Sequence, residues 1–438
     1  MKIWHIILIT QFLIQAPVRA QDLNAESHLT LKEAFALAIK NSVQLKISMF
    51  SVEIAKEQTE IVKLNHLPNI NTGVNYGYLS NSEIWNPSFS EHRTVEFPHN
   101  FAQFTLQATE VVFKGGLFKN SIQKSVFEEQ IADLRFQKNT DDIKFMVTAK
   151  YLDIYRTINQ RKVFINNTKL SKQRLENILS MQKQGMVTRN DVLRMELIIS
   201  NLEISTLKAN NNIDVLNQQL NIILGLESST RLNPDPMELD LPDQPKTVTQ
   251  FLEEANKKNY ELQLVALDKK IAHTNLKIIE SERFPEISLY AGSNLQRPYL
   301  FTMPAVDFYF NVWQAGIALR YNISAIYQVP KKFKRGNTIL DQTVQKELLT
   351  QQEVDVSVNN SFIKYREARE ELDILTKNLK SAEENYRVVE KKYLNQLALL
   401  VDMTDAINIK IEAELRLTDA HINVIFTYYQ LLKSTGQL

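Results

Sequence analysis

Asp402 and Asp405 are the sharpest candidates for chemistry in this chain. Three residues apart, their carboxylates fall on one face of a helix. On the residues alone they read as two solvated surface acids beside a turn. The other reactive side chains form no recognisable set. The seven histidines (His5, His28, His66, His92, His99, His273 and His421) are scattered, with no HExxH or other paired-ligand spacing. No glycine loop suits a phosphate, and no G-x-S-x-G elbow presents a nucleophile. Cysteine is absent, which excludes disulfides, thiolate metal sites, cysteine nucleophiles and a lipid-modified N-terminal cysteine. The chain therefore reads as a non-enzyme, with no cofactor and no metal. Lys+Arg is 51 against 50 for Asp+Glu. Without the basic excess of a nucleic-acid binder, no nucleic-acid partner is expected.

The elements that must carry these residues are long helices broken by short strands. Glycine is costly inside helices, and only 10 occur in 438 residues. Gly73, Gly77, Gly292 and Gly316 fall in strand-like segments. Gly115, Gly116 and Gly336 fall where such segments give way to helix, Gly185 in a turn, and Gly225 and Gly436 at helix ends. From about Gly116 to Gln184 there is no proline and no internal glycine, and apolar residues recur at helical steps, as in Phe145, Ala149, Leu152 and Tyr155. A run of ~70 residues at 1.5 Å per residue reaches roughly 100 Å, a length that points to coiled-coil-like packing. A second such helical run is expected from about Asn337 to Asn395.

The strand segments alternate. Ile70, Thr72, Val74, Tyr76 and Tyr78 share one face, and Asn69, Asn71, Gly73, Asn75 and Gly77 the other. Ile287, Leu289, Ala291 and Leu295 oppose Glu286, Ser288, Gly292 and Asn294. The cleanest case sets Trp313, Ala315, Ile317, Leu319 and Tyr321 against Gln314, Gly316, Ala318, Arg320 and Asn322. Ten-residue segments of this kind, with aromatics near their ends, suit a membrane β-barrel. The same alternation also fits a half-buried soluble hairpin.

At the N-terminus Lys2, the apolar stretch Ile6 to Ile14 and the small residues Val18-Arg19-Ala20 match a secretory signal peptide over 1–20, cleaved before Gln21. That apolar stretch is too short to span a bilayer, and no later run is long enough, so a membrane crossing would have to use strands.

The chain also reads as two copies of one plan. Ala38 meets Ala255, Leu45 meets Leu262, Ala55 meets Ala272 and Pro68 meets Pro285, at a constant offset of 217. Gln103 then meets Gln314, Leu106 meets Ile317 and Asp191 meets Asp402, at 211. The difference falls in the loop between the extended segments, where length changes are tolerated. The first copy is expected over 21–228, with strands at 69–79 and 101–113. The second is expected over 247–438, with strands at 286–295 and 311–323. A Pro-rich linker over 229–246 (Pro234, Pro236, Pro242, Pro245) joins them.

Four short stretches carry a resemblance. Leu29-Thr-Leu-Lys-Glu-Ala-Phe-Ala-Leu-Ala-Ile-Lys-Asn41 is similar to the first-helix pattern of the TolC-type outer-membrane efflux family. Gly185-Met-Val-Thr-Arg-Asn-Asp-Val-Leu193 and Tyr393-Leu-Asn-Gln-Leu-Ala-Leu-Leu-Val-Asp-Met-Thr-Asp-Ala406 resemble its helix-turn motifs. Val112-Phe113-Lys114-Gly115-Gly116 resembles its strand-to-helix junction. Their order and spacing cover nearly the whole mature chain.

The resemblance implies a mostly α fold with β. In that fold a homotrimeric twelve-stranded outer-membrane β-barrel, set in outer-membrane lipid, is continued by a long periplasmic α-helical barrel. It implies an exit duct that passively conducts what an inner-membrane pump delivers through a periplasmic adaptor (membrane fusion) protein. The loops 81–100 and 296–307 would face outside. Asp402, Asp405, Asp191 and Tyr393 match the family's entrance constriction, where three copies turn each acid into a ring. Gly185, Met186, Val187 and Thr188, with Gln396, Leu397 and Ala398, match the tips that dock an adaptor. The chain departs from the family at Ala398, where the type pattern has an arginine, so the closing links differ here. The competing reading is a periplasmic coiled-coil structural or adaptor protein without a barrel. Adaptors usually carry one hairpin between compact β domains, whereas two hairpins alternate with two strand pairs here.

Overall fold

The computed structural model describes residues 27–234 and 246–438. The expected signal peptide, its cleavage before Gln21, and Pro236, Pro242 and Pro245 of the linker lie outside the described residues.

In chain order the elements are β1 (Ser27–Leu29), α1 (Leu31–Asn41), α2 (Val43–Leu64), β2 (Asn69–Tyr78), β3 (Ser82–Trp85), β4 (His92–Val95), β5 (Asn100–Phe113), α3 (Leu117–Lys183) and α4 (Arg189–Leu224). There follow β6 (Leu232–Pro234), α5 (Val248–Lys258), α6 (Tyr260–Ser281), β7 (Glu286–Arg297), β8 (Phe310–Arg320), α7 (Ala325–Leu394) and α8 (Leu400–Thr435). The fold is mostly helical with some sheet.

Local chemistry fixes the helix ends. Thr30 opens α1 with a capping box: its hydroxyl accepts from the Glu33 N–H at 3.2 Å while its own N–H donates to the Glu33 carboxylate at 2.9 Å. That backbone bond holds the Glu33 carboxyl below the usual carboxylate range. Thr247 and Gln250 open α5 in the same way. At the other ends, the Asn41 amide donates to the Leu224 carbonyl of α4 at 2.7 Å, and the Asn259 amide to the Ser434 carbonyl of α8 at 2.9 Å. Each bond satisfies a last-turn carbonyl that the helix leaves open. Gly225 and Gly436 follow those helices in the left-handed region, at φ +67° and +73°.

The described residues group into two compact units. One holds 27–42, 146–234 and 368–426. Its interior includes Tyr151, Ile154, Leu220, Leu224 and Ile422. The Tyr151 hydroxyl donates to the Leu29 carbonyl at 2.7 Å, beside the short parallel pair of β1 and β6. The other unit holds 43–145, 246–367 and 427–438. It contains an antiparallel sheet in the order β2-β5-β7-β8. A bulge between Val111 and Phe113 shifts the register at the end of β5.

Three features differ from the sequence reading. First, α7 begins at Ala325 rather than near Asn337, and carries Pro330 and Gly336 inside it. Gly336 is not a boundary here; a Cβ on it would lie 2.6 Å from Leu276 Cδ2, so the glycine lets α7 approach α6 closely. Second, β8 ends at Arg320, so Tyr321 lies beyond the strand. The Asn322 carboxamide then accepts from the Ser324 N–H at 3.1 Å and turns the chain into α7. Third, the loop 81–100 contains the hairpin β3–β4, whose four-residue strands are too short to display alternation.

Gly225→Ala adds a side chain in a left-handed conformation, and its Cβ would sit 2.6 Å from Asn41 Cβ. Thermal unfolding followed by circular dichroism is expected to show a loss of about 2 kcal/mol. Gly77→Ala, where nothing lies within 4 Å of the added carbon, serves as the comparison. Equal midpoints for the two variants would contradict the close approach.

Candidate functional site

The turn between α3 and α4 closes on Gly185, at φ +75°. Its N–H donates to the Gln182 carbonyl at 2.9 Å, and the Met186 N–H to the Met181 carbonyl at 3.0 Å. The turn between α7 and α8 repeats this bonding with Gln396 in the glycine's place: Gln396 N–H to Tyr393 carbonyl, 2.9 Å, and Leu397 N–H to Lys392 carbonyl, 2.8 Å. Both are Schellman-type closures. Gln396 adopts φ +62°, a conformation that costs a non-glycine residue about 1–2 kcal/mol. Its side-chain amide reaches the Met186 sulfur at 3.4 Å, so the two turns touch.

Just past each turn an aspartate caps the next helix. One Asp191 carboxylate oxygen accepts from both the Thr188 N–H and the Thr188 hydroxyl at 2.8 Å. Asp402 accepts from the Leu399 N–H at 3.0 Å. Negative charge is favourable at both helix starts. Leu399 stands where Thr188 stands in the other turn and has no hydroxyl to offer. Asp405, one turn further along α8, is exposed.

Beneath the turns Ile178, Val192, Met195, Ile199, Tyr393, Leu400, Met403 and Ile407 form one apolar cluster drawn from all four helices. Val187 and Ala398 pack against its edge. Of the residues expected at the tips, these two therefore point inward. Gly185, Met186, Thr188, Gln396 and Leu397 are exposed. Tyr393 is 8% exposed, and its hydroxyl has no hydrogen-bond partner among the described residues. Burial raises its pKa, and the nearby charge of Asp191 adds to the rise. The structure thus brings Tyr393 close to Asp191 without a bond between them.

Sequence reasoning missed a second group in the same unit. The Arg174 guanidinium lies 4.9 Å from the centre of the Tyr386 ring and contacts the Tyr386 hydroxyl, with its Nε 3.5 Å from Glu390. Lys410 lies 5.0 Å from the centre of the same ring and 3.5 Å from Glu414, which in turn accepts from the Asn167 amide at 2.9 Å. Burial first, then the hydrogen bond to Glu390, pushes the Tyr386 hydroxyl up to about 12. Tyr386 and Glu390 stand four apart on α7, a visible signal. Arg174 is 212 residues from Tyr386 in sequence and carries none.

The four-stranded sheet is the other chemically distinctive surface. Directly opposed residues share a face. Ile70, Val74, Phe104, Leu106, Leu289, Leu295 and the set Trp313, Ala315, Ile317 and Leu319 lie on one face. That apolar face is open: Tyr76 is 77% exposed, Trp313 76% and Ile317 71%. The opposite face carries the rows Asn75–Gln103–Gln296–Phe310, Gly73–Thr105–Asn294–Val312, Asn71–Gln107–Gly292–Gln314 and Asn69–Thr109–Tyr290–Gly316. On this polar face charge enters, among the described strands, at the helical end, where Glu286 meets Lys114 at 2.7 Å and Arg320 at 3.4 Å. No described helix is long and apolar enough to cross a membrane.

Neither a known protein-family profile nor any curated protein matches the sequence. Solved structures do match its fold. The outer membrane protein VceC from Vibrio cholerae superposes with a TM-score of 0.76 at 12% identity, over 93% of this chain and 96% of that one. The CmeC outer membrane channel of Campylobacter jejuni gives 0.75 at 13% identity, over 93% and 85%. The open MtrE outer membrane channel of Neisseria gonorrhoeae gives 0.71 at 14%, over 93% and 88%. The chain has the fold of these outer-membrane channels, and the resemblance to TolC-type proteins read from its sequence holds at the level of fold.

Gln396→Gly removes the left-handed penalty and is expected to raise stability by about 1 kcal/mol, while Gly185→Gln lowers it by a similar amount. Denaturant midpoints of the two variants measure this. A loss in both would mean that the Gln396 side chain contributes more than its backbone strain costs.

Proposed function

We propose that this protein is the outer-membrane exit duct of a tripartite efflux or type I secretion system. It conducts passively, receiving its cargo from an inner-membrane pump through a periplasmic adaptor. One observation carries the reading: a four-stranded sheet with one open apolar face, one polar face and two edges, β2 and β8, that no other described strand pairs. Open edges are not tolerated in lipid, so the sheet must close with further strands. Three copies supply twelve strands, with β8 of each chain meeting β2 of the next. The likeness to outer-membrane channels supports this reading. The order helix, helix, strands, long helical hairpin occurs twice, which supports an internal two-fold repeat. A cleavable signal peptide over 1–20 accounts for export.

In this reading the apolar sheet face meets lipid and the polar face lines the lumen. Asp402 and Asp405, with Asp191 and Tyr393, form the periplasmic constriction. Gly185, Met186, Thr188, Gln396 and Leu397 present the adaptor-docking surface, while Val187 and Ala398 support it from within.

Fractionation followed by native mass spectrometry in detergent tests the assembly. Heat-resistant trimers in the outer membrane are expected, and a soluble periplasmic monomer would sink the reading. Charge at mid-membrane on the lipid face costs about 2–4 kcal/mol. Ile317→Arg should therefore impair insertion, whereas Ala318→Arg should mainly alter conductance. Similar insertion defects in both would reject the assignment of faces.

Asp402→Asn with Asp405→Asn removes charge and leaves an oxygen to cap α8. Fixed negative rings favour cations, so single-channel recordings in asymmetric salt are expected to show reduced cation preference in the double variant. Unchanged selectivity with weakened adaptor binding would put these acids on the docking surface instead.

A further inference from the structure

The polar sheet face is unusual for what it lacks. Charged residues make up 23% of the chain, yet the four rows of this face from Asn75–Gln103 to Asn69–Thr109 contain none. A wall selected only for wetness would tolerate lysine and glutamate as readily as glutamine. Carboxamides take their place and are joined in a chain: Asn75 donates to Gln103 at 3.3 Å, Gln103 to Asn294 at 3.0 Å and Asn294 to Gln296 at 3.5 Å.

Aromatic rings border this amide chain. Phe310 belongs to the face itself, and the loop after β7 brings Phe301 into the same concavity, beside Gln103, Asn294 and Gln314. Tyr299, Phe301 and Phe310 pack with ring centres 5.0–5.8 Å apart. Two bonds of a fork from Arg297 to Asp307, at 2.7 and 2.9 Å, close the loop at its base, and Tyr309 lies 5.3 Å from the same guanidinium. Paired backbone bonds between Tyr299 and Val306 tie its middle. Phe301 nevertheless remains largely exposed.

We propose that this charge-free amide face and its ring cluster form a contact site for uncharged, polyhydroxylated, ring-bearing solutes of the saccharide class. The inference rests on the duct reading. A carboxamide both donates and accepts, which matches neighbouring hydroxyls that do the same. The C–H face of a sugar ring packs on an aromatic ring, and an apolar body with a polar rim suits a site of this composition. A charged solute finds no counter-charge here and gives up part of its hydration without return.

The test uses the full-length protein in planar bilayers, with maltohexaose as the probe. Concentration-dependent interruptions of the single-channel current are expected. Losing one ring contact in Phe301→Ala, or one amide in Asn294→Ala, should weaken block by roughly tenfold. Sulfated maltohexaose should block more weakly than the neutral sugar. Heat-resistant trimers establish that each variant has assembled. A channel that conducts but is never interrupted by the neutral sugar overturns this proposal and leaves the duct reading intact. Equal block of wild type and both variants also overturns it. A protein that forms no channel overturns both.

Discussion

The sheet edge is the constraint on which the rest depends. Along the outer edges of β2 and β8 no other described strand pairs with the backbone, and the apolar side of the sheet stands open. A soluble hairpin would bury such a face against helices. Here the side chains that would be its core stand open, so the surface is built to meet something other than water. The polar character of the opposite face follows from the same alternation, because every residue turned away from the apolar side must be tolerable to water.

The helical hairpins solve a different problem, that of ending a long helix and starting another without loose polar groups. Both turns use the same pair of backbone bonds, and an aspartate opens each following helix. These demands bear on Asp191 and Asp402 before any role in conduction does. A residue can do both, since capping occupies one carboxylate oxygen and leaves the charge in place. The apolar cluster below fixes the two turns against each other and decides which tip residues face out.

Much of this was legible in the sequence because it is periodic. The alternation from Trp313 to Leu319 and the unbroken helical run before Gly185 depend on neighbours close in sequence, as do the positive φ angles at Gly185, Gly225 and Gly436. What was not legible depends on distant partners. Gly336 reads as a boundary until Leu276 is seen against it. Arg174 gives no sign of Tyr386 and Glu390. The cap by Asp402 is obscured because Leu399 replaces the hydroxyl residue that usually announces one. The hairpin β3–β4 is set by a turn too local, and strands too short, to show a pattern.

Where the strands give way to helices, a single carboxylate serves two cations. Glu286 is shared by Lys114 and Arg320, so among the described residues two cations stand there against one carboxylate. At physiological salt the field of this excess fades within about 8 Å. Beyond that distance the excess scarcely registers, whereas an anion touching the sheet at this end would be held by electrostatic attraction.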